Sequence, residues 1–548
     1  MTMCRFFIAL ALVGYASCAA AATVKTDDGW VEGTQQNGVT IYKGIPFAAP
    51  PVGALRWRDP RPVIPWSGVR IADKFSPICM QTKPYPPDAP PEPESENCLY
   101  LNIWAPAAAH GAKLPVMFWI YGGGLEGGSA STPLYAGGQL AQQGVIVVTA
   151  NYRLGIFGFL ADPQLTRESP HHSSGNYGLL DQIAALKWLH RNIVAFGGDP
   201  NRVTIFGQSS GSISVSVLVT SPLAKGLFQR AIGESGGLFE PLNLDASFTL
   251  QGAELEGQAF MARAGVTSIK VLRSMSASEL MKVNFSPNPI IDGYVLTQSP
   301  YEAYCRGQQN DVPILIGSNL DEGQYFIQDR KITVQNFTQQ LDQDFPSILV
   351  WLIGPKPGAT DQVARAAAAS FEGDMRFRWD MWTWARLAAN HGQSKVYLYE
   401  FTRAPPFMPG SRYAGLGATH GMEMSYVFDH LDQQDVSWTP ADRRLASAMS
   451  AYWTNFAKSG DPNGESLPSW PAFTSGAPIT TALGETIGPK PVRDPEELRR
   501  ISRLYNSASF IQRNIYLLLV AVVGAFIVLI VFLIAYIRRK RRSRSLTA

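Results

Sequence analysis

Cysteine, histidine and charge are all scarce in this 548-residue chain, and each scarcity closes off a class of protein. Five cysteines cannot staple a chain of this length, so its fold must rest on a hydrophobic core and not on a disulfide framework. Charged residues make up 17% and apolar residues 46%, a balance that permits a large packed core and argues against disorder. The net charge is only +3, and Arg538, Arg539, Lys540, Arg541, Arg542 and Arg544 contribute six positive charges near the end; removing these six leaves −3. A nearly neutral, slightly acidic body argues against nucleic acid as a partner. No repeat or low-complexity linker interrupts the body before about residue 500.

Both ends read as membrane-directed. Residues 1–22 hold Arg5, an apolar stretch from Phe6 to Tyr15 and then "ASCAAAA", the layout of a signal peptide. At the other end, Ile515 to Ile537 is a run without a charged residue, about 34 Å long as a helix. The basic cluster follows it, and the positive-inside rule places that cluster in the cytoplasm. The expected layout is a body over 23–505, a stalk over 506–514, a transmembrane helix over 515–537 and a cytoplasmic tail over 538–548. The lipid bilayer is then a partner, and the body lies outside the cytoplasm, periplasmic if the source is bacterial.

In such an oxidising compartment Cys79 and Cys98, which bracket a proline-rich segment, can close a disulfide worth about 3 kcal/mol. Cys305 is then left as a free thiol, expected to be buried.

Strand-like and helical runs alternate through the first half. "VMFWIY" (116–121), "GVIVVTANY" (144–152), "RVTIFG" (202–207) and "RAIGESG" (230–236) are β-rich. Leu179, Leu180, Ile183, Leu186, Leu189 and Ile193 recur at helical spacing, and "SSGSISVSVLVTS" reads as a small-residue helix. This alternation predicts a mostly parallel sheet with helices on both faces.

In that frame "TIFGQSSGSIS" (204–214) gains meaning. A serine between glycines, on a tight turn from a buried strand into a helix, is a nucleophile elbow, and Ser209 is the candidate nucleophile. A serine needs a base. Histidine is rare enough to narrow the choice: on α/β-hydrolase folds the base comes late, which leaves His391, His420 and His430. His391 ends a helical run, and nothing places His430 near the serine. His420 lies in the glycine-rich "GLGATHGMEM", where a loop can present a base. Between serine and histidine, "VPILIGSNLDEGQYF" offers Asp321 and Glu322 as the orienting acid; spacing does not separate them. "WIYGGGLEGGS" (119–129) ends a strand in three glycines whose amides can serve a developing oxyanion, together with the Ser210 amide. No Gly-Lys-Ser/Thr follows, which excludes a phosphate loop.

With these pieces in order, the chain resembles the type-B carboxylesterase and lipase family, which includes the cholinesterases. "YKGIPFAAPPVGALRWRDP", "SENCLYLNIW", "NYRLGIFGFL", "GNYGLLDQIAALKWLHRNIVAFGGDPNRVTIFGQSSG", "SPLAKGLFQRAIGESG" and "AYWTNFAKSGDPNG" carry the likeness. The resemblance implies an α/β-hydrolase fold, no cofactor and no metal, and an ester as substrate. It implies Ser209 as nucleophile, His420 as base and Glu322 as acid, with Gly123, Gly124 and Ser210 as oxyanion donors. Ser235 and Glu423 match residues that support the triad. Arg56 with Glu96 and Arg153 with Asp181 match structural ion pairs, and Cys79 with Cys98 matches the family's first disulfide.

Departures from the family pattern are informative. Gln208 stands where glutamate is common before the nucleophile, Leu125 where an aromatic is common, and Ser210 where alanine is usual. The Cys79–Cys98 loop lacks the tryptophan on which cholinesterases stack a quaternary ammonium, which argues against choline esters. Two readings follow. One is a membrane-anchored serine hydrolase that works through an acyl-enzyme. The other is a cholinesterase-like adhesion or recognition protein without turnover, which the intact set of site residues disfavours.

Overall fold

The computed structural model describes residues 22–83, 91–109, 111–433, 436–515, 519 and 525–537. The expected signal peptide falls on residues of which all but the last lie outside this set. The strands that matter are β1 (Ala22–Thr26), β2 (Gly29–Gln36), β3 (Val39–Pro46), β4 (Tyr100–Pro106), β5 (Leu114–Ile120) and β6 (Ile146–Ala150). They are followed by β7 (Gly198–Gln208), β8 (Arg230–Glu234), β9 (Ile314–Asn319), β10 (Val396–Phe401), β11 (Ile479–Leu483) and β12 (Gly488–Pro491).

These strands lie in the order β1-β2-β3-β4-β6-β5-β7-β8-β9-β10-β11-β12. From β6 to β11 every neighbour is parallel. The N-terminal strands and β12 add antiparallel margins. The central strands are buried on both faces, which is why they read as continuous apolar runs such as Val116–Ile120 and Ile146–Val148.

Five helices cover or extend this sheet: α1 (Tyr177–Asn192), α2 (Ser210–Thr220), α3 (Trp379–His391), α4 (Pro440–Ser459) and α5 (Pro495–Arg513). Successive strand residues point to opposite faces, and β8 shows which helix covers which. A Cβ on Gly233 would meet Trp384 of α3 and Ser212 of α2. The next residue, Glu234, accepts a hydrogen bond from Trp453 of α4 on the other face. Helices therefore lie on both sides, as the alternation predicts.

The chain order reverses at β5. β6 pairs on one side of it and β7 on the other, which creates a crevice at the carboxyl ends of the strands.

Two expected ion pairs are formed. Arg56 reaches Glu96 at 2.5 and 2.7 Å, and Arg153 reaches Asp181 at 2.7 Å through two nitrogens. The Cys79–Cys98 disulfide is present. Cys305 departs from expectation: it is exposed, because it ends the short helix Pro300–Cys305 on its solvent side.

At the C-terminus, α5 runs through the 505/506 position without a break and buries Leu498 and Ile501 against the body. Residues 525–537 are helical with exposed apolar side chains. They span only about 20 Å. No helix among the described residues is long and apolar enough to cross a membrane, so the expected 515–537 span is not supported by the structure. Residues 516–518, 520–524 and 538–548 of that region lie outside the described set.

The buried Arg153–Asp181 pair makes a stability test. Asp181→Ala leaves a guanidinium buried without its partner and should cost about 3–5 kcal/mol. Arg58→Ala at the half-exposed Arg58–Glu168 pair should cost no more than about 1 kcal/mol. Denaturant unfolding of both variants reads the difference, and equal losses would contradict the structural role.

Candidate active site

Every residue expected at the site lies at the carboxyl end of a central strand or in the loop beyond it. Ser209 follows β7 and opens α2 with φ 57° and ψ −128°, a conformation that side-chain-bearing residues rarely adopt. Its N–H donates to Glu234 O at 2.8 Å, and its carbonyl accepts Ile213 N–H at 2.9 Å. A Cβ on Gly211 would stand 2.0 Å from Ile120 O, so α2 can approach β5 only because that residue is glycine. Ser209 is half-buried, whereas Gln208, Ser210, Glu322 and His420 are buried.

Structure separates the two acids that spacing could not. His420 Nδ1 lies 2.6 Å from Glu322 Oε2. The other carboxylate oxygen, Oε1, accepts Asn319 N–H at 2.7 Å and Ser235 Oγ–H at 2.5 Å. Asp321 instead braces the histidine loop, accepting Ala418 N–H at 2.9 Å while its own N–H donates to Ala418 O at 3.0 Å. The other two histidines have ordinary roles. His430 Nε2 bonds Ala136 O, and His391 ends α3.

On its far side His420 Nε2 lies 3.2 Å from Gln208 Nε2. No hydrogen bond from Ser209 Oγ to His420 is formed among the described residues. Catalytic hydrogen bonds in unliganded sites are often loose and tighten around substrate. The glycine loop after β5 lies against Ser209: a Cβ on Gly122 would come within 2.9 Å of Ser209 Cβ. The N–H groups of Gly123 and Gly124 have no acceptor among the described residues, as oxyanion donors require.

Beneath this constellation sits a buried acidic layer. Glu423 accepts a hydrogen bond from Asn319 Nδ2, and burial, with Glu322 and Glu234 nearby, pushes its carboxyl well above the usual range. Burial raises Glu234 to about 8, although the 2.7 Å bond from Trp453 Nε1 works against the rise.

Sequence reasoning missed the ring around the base. Phe377 stacks on the imidazole with centroids 4.5 Å apart and planes 18° apart, and Phe326 and Tyr325 approach at 5.4 and 5.9 Å. Phe377 sits in one π-helical turn, Asp374–Arg378, that joins helix Asp361–Gly373 to α3. Such turns recur at functional sites. The Gln208–His420 contact was also missed, since nothing in sequence indicates which ring nitrogen the residue before the nucleophile reaches.

A strained serine at a strand–helix turn, with a histidine and a buried carboxylate in loops beyond later strands, defines an α/β-hydrolase. The family comparison makes the class specific: the profile of the Carboxylesterase family matches residues 20–486, and the chain belongs to that family. It is 40% identical over 488 residues to the fumonisin B1 esterase of Sphingopyxis macrogoltabida, covering 84% of this chain and 86% of that one. It is 36% identical over 504 residues to the para-nitrobenzyl esterase of Bacillus subtilis (strain 168), covering 87% and 97%. A solved structure of a PNB esterase superposes with a TM-score of 0.75 at 33% identity, covering 87% of this chain and 99% of that one. The protein is a carboxylic ester hydrolase by family.

The buried acidic layer makes stability depend on pH with a definite sign. Between about 4.5 and about 8 the folded chain keeps a proton on Glu234 that the unfolded chain has released. Stability from this group is full below that window and is lost as pH rises through it. Glu234→Gln removes the titration and can still accept from Trp453. Its thermal midpoint, measured relative to wild type, should therefore improve steadily from pH 5 to pH 8. A constant offset across that range would contradict a protonated Glu234.

Proposed function

We propose that the protein cleaves carboxylic esters through a covalent acyl-enzyme on Ser209. His420 takes the serine proton as the hydroxyl attacks the ester carbonyl, then returns it to the leaving alcohol. Glu322 accepts from the imidazole Nδ1–H, fixing its tautomer and balancing the positive charge that forms. The N–H groups of Gly123, Gly124 and Ser210 receive the oxyanion. Water then attacks the acyl-enzyme by the same route and releases the acid. The observation that carries this reading is the 2.6 Å His420–Glu322 contact beside a strained, half-buried serine. Ser235 and Asn319 support it by holding the carboxylate in aim. An adhesion role without turnover gains nothing from such an arrangement, and the named relatives are esterases.

The test is hydrolysis of p-nitrophenyl acetate. Ser209→Ala should abolish turnover while the protein still folds. Glu322→Gln should lower kcat by about two orders of magnitude or more, and Asp321→Asn by far less, because Asp321 meets only backbone. Full activity in Ser209→Ala would overturn the assignment, and the reverse ranking of the two acids would overturn their roles.

The proposal extends to location: a single-pass protein with its body outside the cytoplasm, held in the lipid bilayer by 515–537. Supporting it are the 515–537 stretch without a charge, the six basic residues that follow, and the exposed apolar side chains of helical residues 525–537. In sealed membranes, protease added on the outer face should digest the body and spare the basic tail. A digested tail with an intact body would invert the topology, and a full-length chain found wholly in the soluble fraction would refute the anchor.

A further inference from the structure

The residue after the nucleophile is a serine where the family pattern has alanine, and the additional hydroxyl has a partner. Leu125 N–H donates to Ser210 Oγ at 3.2 Å, joining positions 85 residues apart in sequence. Leu125 belongs to the glycine loop. It is 3% exposed and holds φ 60°, following Gly123 at 115° and Gly124 at 67°. A leucine in the left-handed region is strained and persists only where its surroundings fix it. Two bonds fix it here: the one to Ser210, and Gly155 N–H donating to Leu125 O at 2.7 Å. Alanine at 210 would leave the buried Leu125 N–H without that acceptor, a costly vacancy.

The same loop is held from outside by the disulfide-closed segment. The Gln81 carboxamide accepts Gly128 N–H at 2.9 Å and donates to Gly128 O at 3.2 Å. The Glu92 carboxylate accepts Ser129 Oγ–H at 3.0 Å and Ser131 Oγ–H at 2.5 Å, and Lys83 pairs with Glu126 at 2.5 Å. A Cβ on Gly127 would lie 1.7 Å from Lys83 O, so the two loops touch backbone to backbone.

We propose that the Ser210 hydroxyl and the Gln81 carboxamide are positioning residues for ester cleavage: they brace the oxyanion loop from inside and outside, so that Gly123 and Gly124 stay in register with Ser209. Ser210 thus serves twice, its amide as a donor and its hydroxyl as the strut that aligns the other donors. The inference rests on the proposed esterase chemistry. Oxyanion charge develops only in the tetrahedral transition state, and donors help only within a few tenths of an ångström of its position. A slackened loop therefore lowers kcat and leaves ground-state binding nearly untouched.

The experiment uses the full-length chain and p-nitrophenyl acetate, with a trifluoromethyl ketone as the probe that forms a tetrahedral adduct on the serine. Ser210→Ala should lower kcat about tenfold with KM changed no more than about twofold. Ketone affinity should fall by the same factor as kcat/KM. Ser210→Thr, which keeps the hydroxyl, should recover most of the loss, and Gln81→Leu should move kcat and ketone affinity in the same direction as Ser210→Ala. Wild-type kcat and ketone affinity in Ser210→Ala would overturn the proposal. So would a loss confined to KM, or a threonine variant no better than alanine in a folded protein. A wild-type chain that neither turns over the ester nor binds the ketone would overturn the esterase reading itself, a result distinct from all of these.

Discussion

The backbone at Ser209 is the constraint around which the rest is arranged. A φ of 57° with ψ −128° costs a side-chain-bearing residue about 1–3 kcal/mol, and it persists only because its surroundings fix it. The conformation is imposed from outside by β8, which takes the serine N–H, by α2, which takes its carbonyl, and by β5, which leaves no room for a side chain at Gly211. Three elements must therefore be in place before the nucleophile can point out of the sheet. The parallel arrangement supplies them, because it brings the carboxyl ends of β5, β7, β8, β9 and β10 to one edge.

Scaffold and site answer the problem of buried charge in opposite ways. In the scaffold, Asp181 and Glu96 are each paired with an arginine through two hydrogen bonds, and removal of either partner would strand a charge. Under the site, Glu322 faces the imidazole, while Glu234 and Glu423 have neutral donors and no cationic partner among the described residues. Burial raises both carboxyls and so favours their protonated forms. Under the proposed mechanism a neutral layer would leave Glu322 to offset the imidazolium formed during attack.

Sequence was most legible where backbone geometry forces a residue type. Glycines around the elbow, buried apolar strands and the small-residue α2 all follow from close approach, and each stood out. The choice between Asp321 and Glu322 did not follow from spacing, since adjacent residues on a turn point in different directions and only the path of the 418–420 loop decides which meets the ring. Family likeness supplied that choice, and in the structure it is Glu322 that lies 2.6 Å from the ring. Phe377 was hidden because a π turn inserts an extra residue and breaks the helical period on which pattern reading depends. Cys305 misled because a cysteine left without a partner is usually buried, whereas the end of a short helix turns it to solvent. The antiparallel margins were not anticipated because the alternation was read from residue 116 onward.

The C-terminal helix bears on how the proposed anchoring would work. Residues 506–513 continue α5, and contacts at Tyr505, Asn506 and Arg513 tie this part of the helix to the body. Trp379 stacks edge-on against Tyr505 at 4.9 Å, Tyr301 OH donates to Asn506 Oδ1 at 3.3 Å, and Arg513 reaches Glu302 at 2.5 Å. A flexible linker would let the body tumble above a bilayer, since glycine- and serine-rich chain behaves as a random coil. A docked helix does not. With its last turn pinned at Glu302, the apolar run begins against the body surface formed by helix Pro300–Cys305. Under the proposed topology that surface would be the part of the body nearest the lipid.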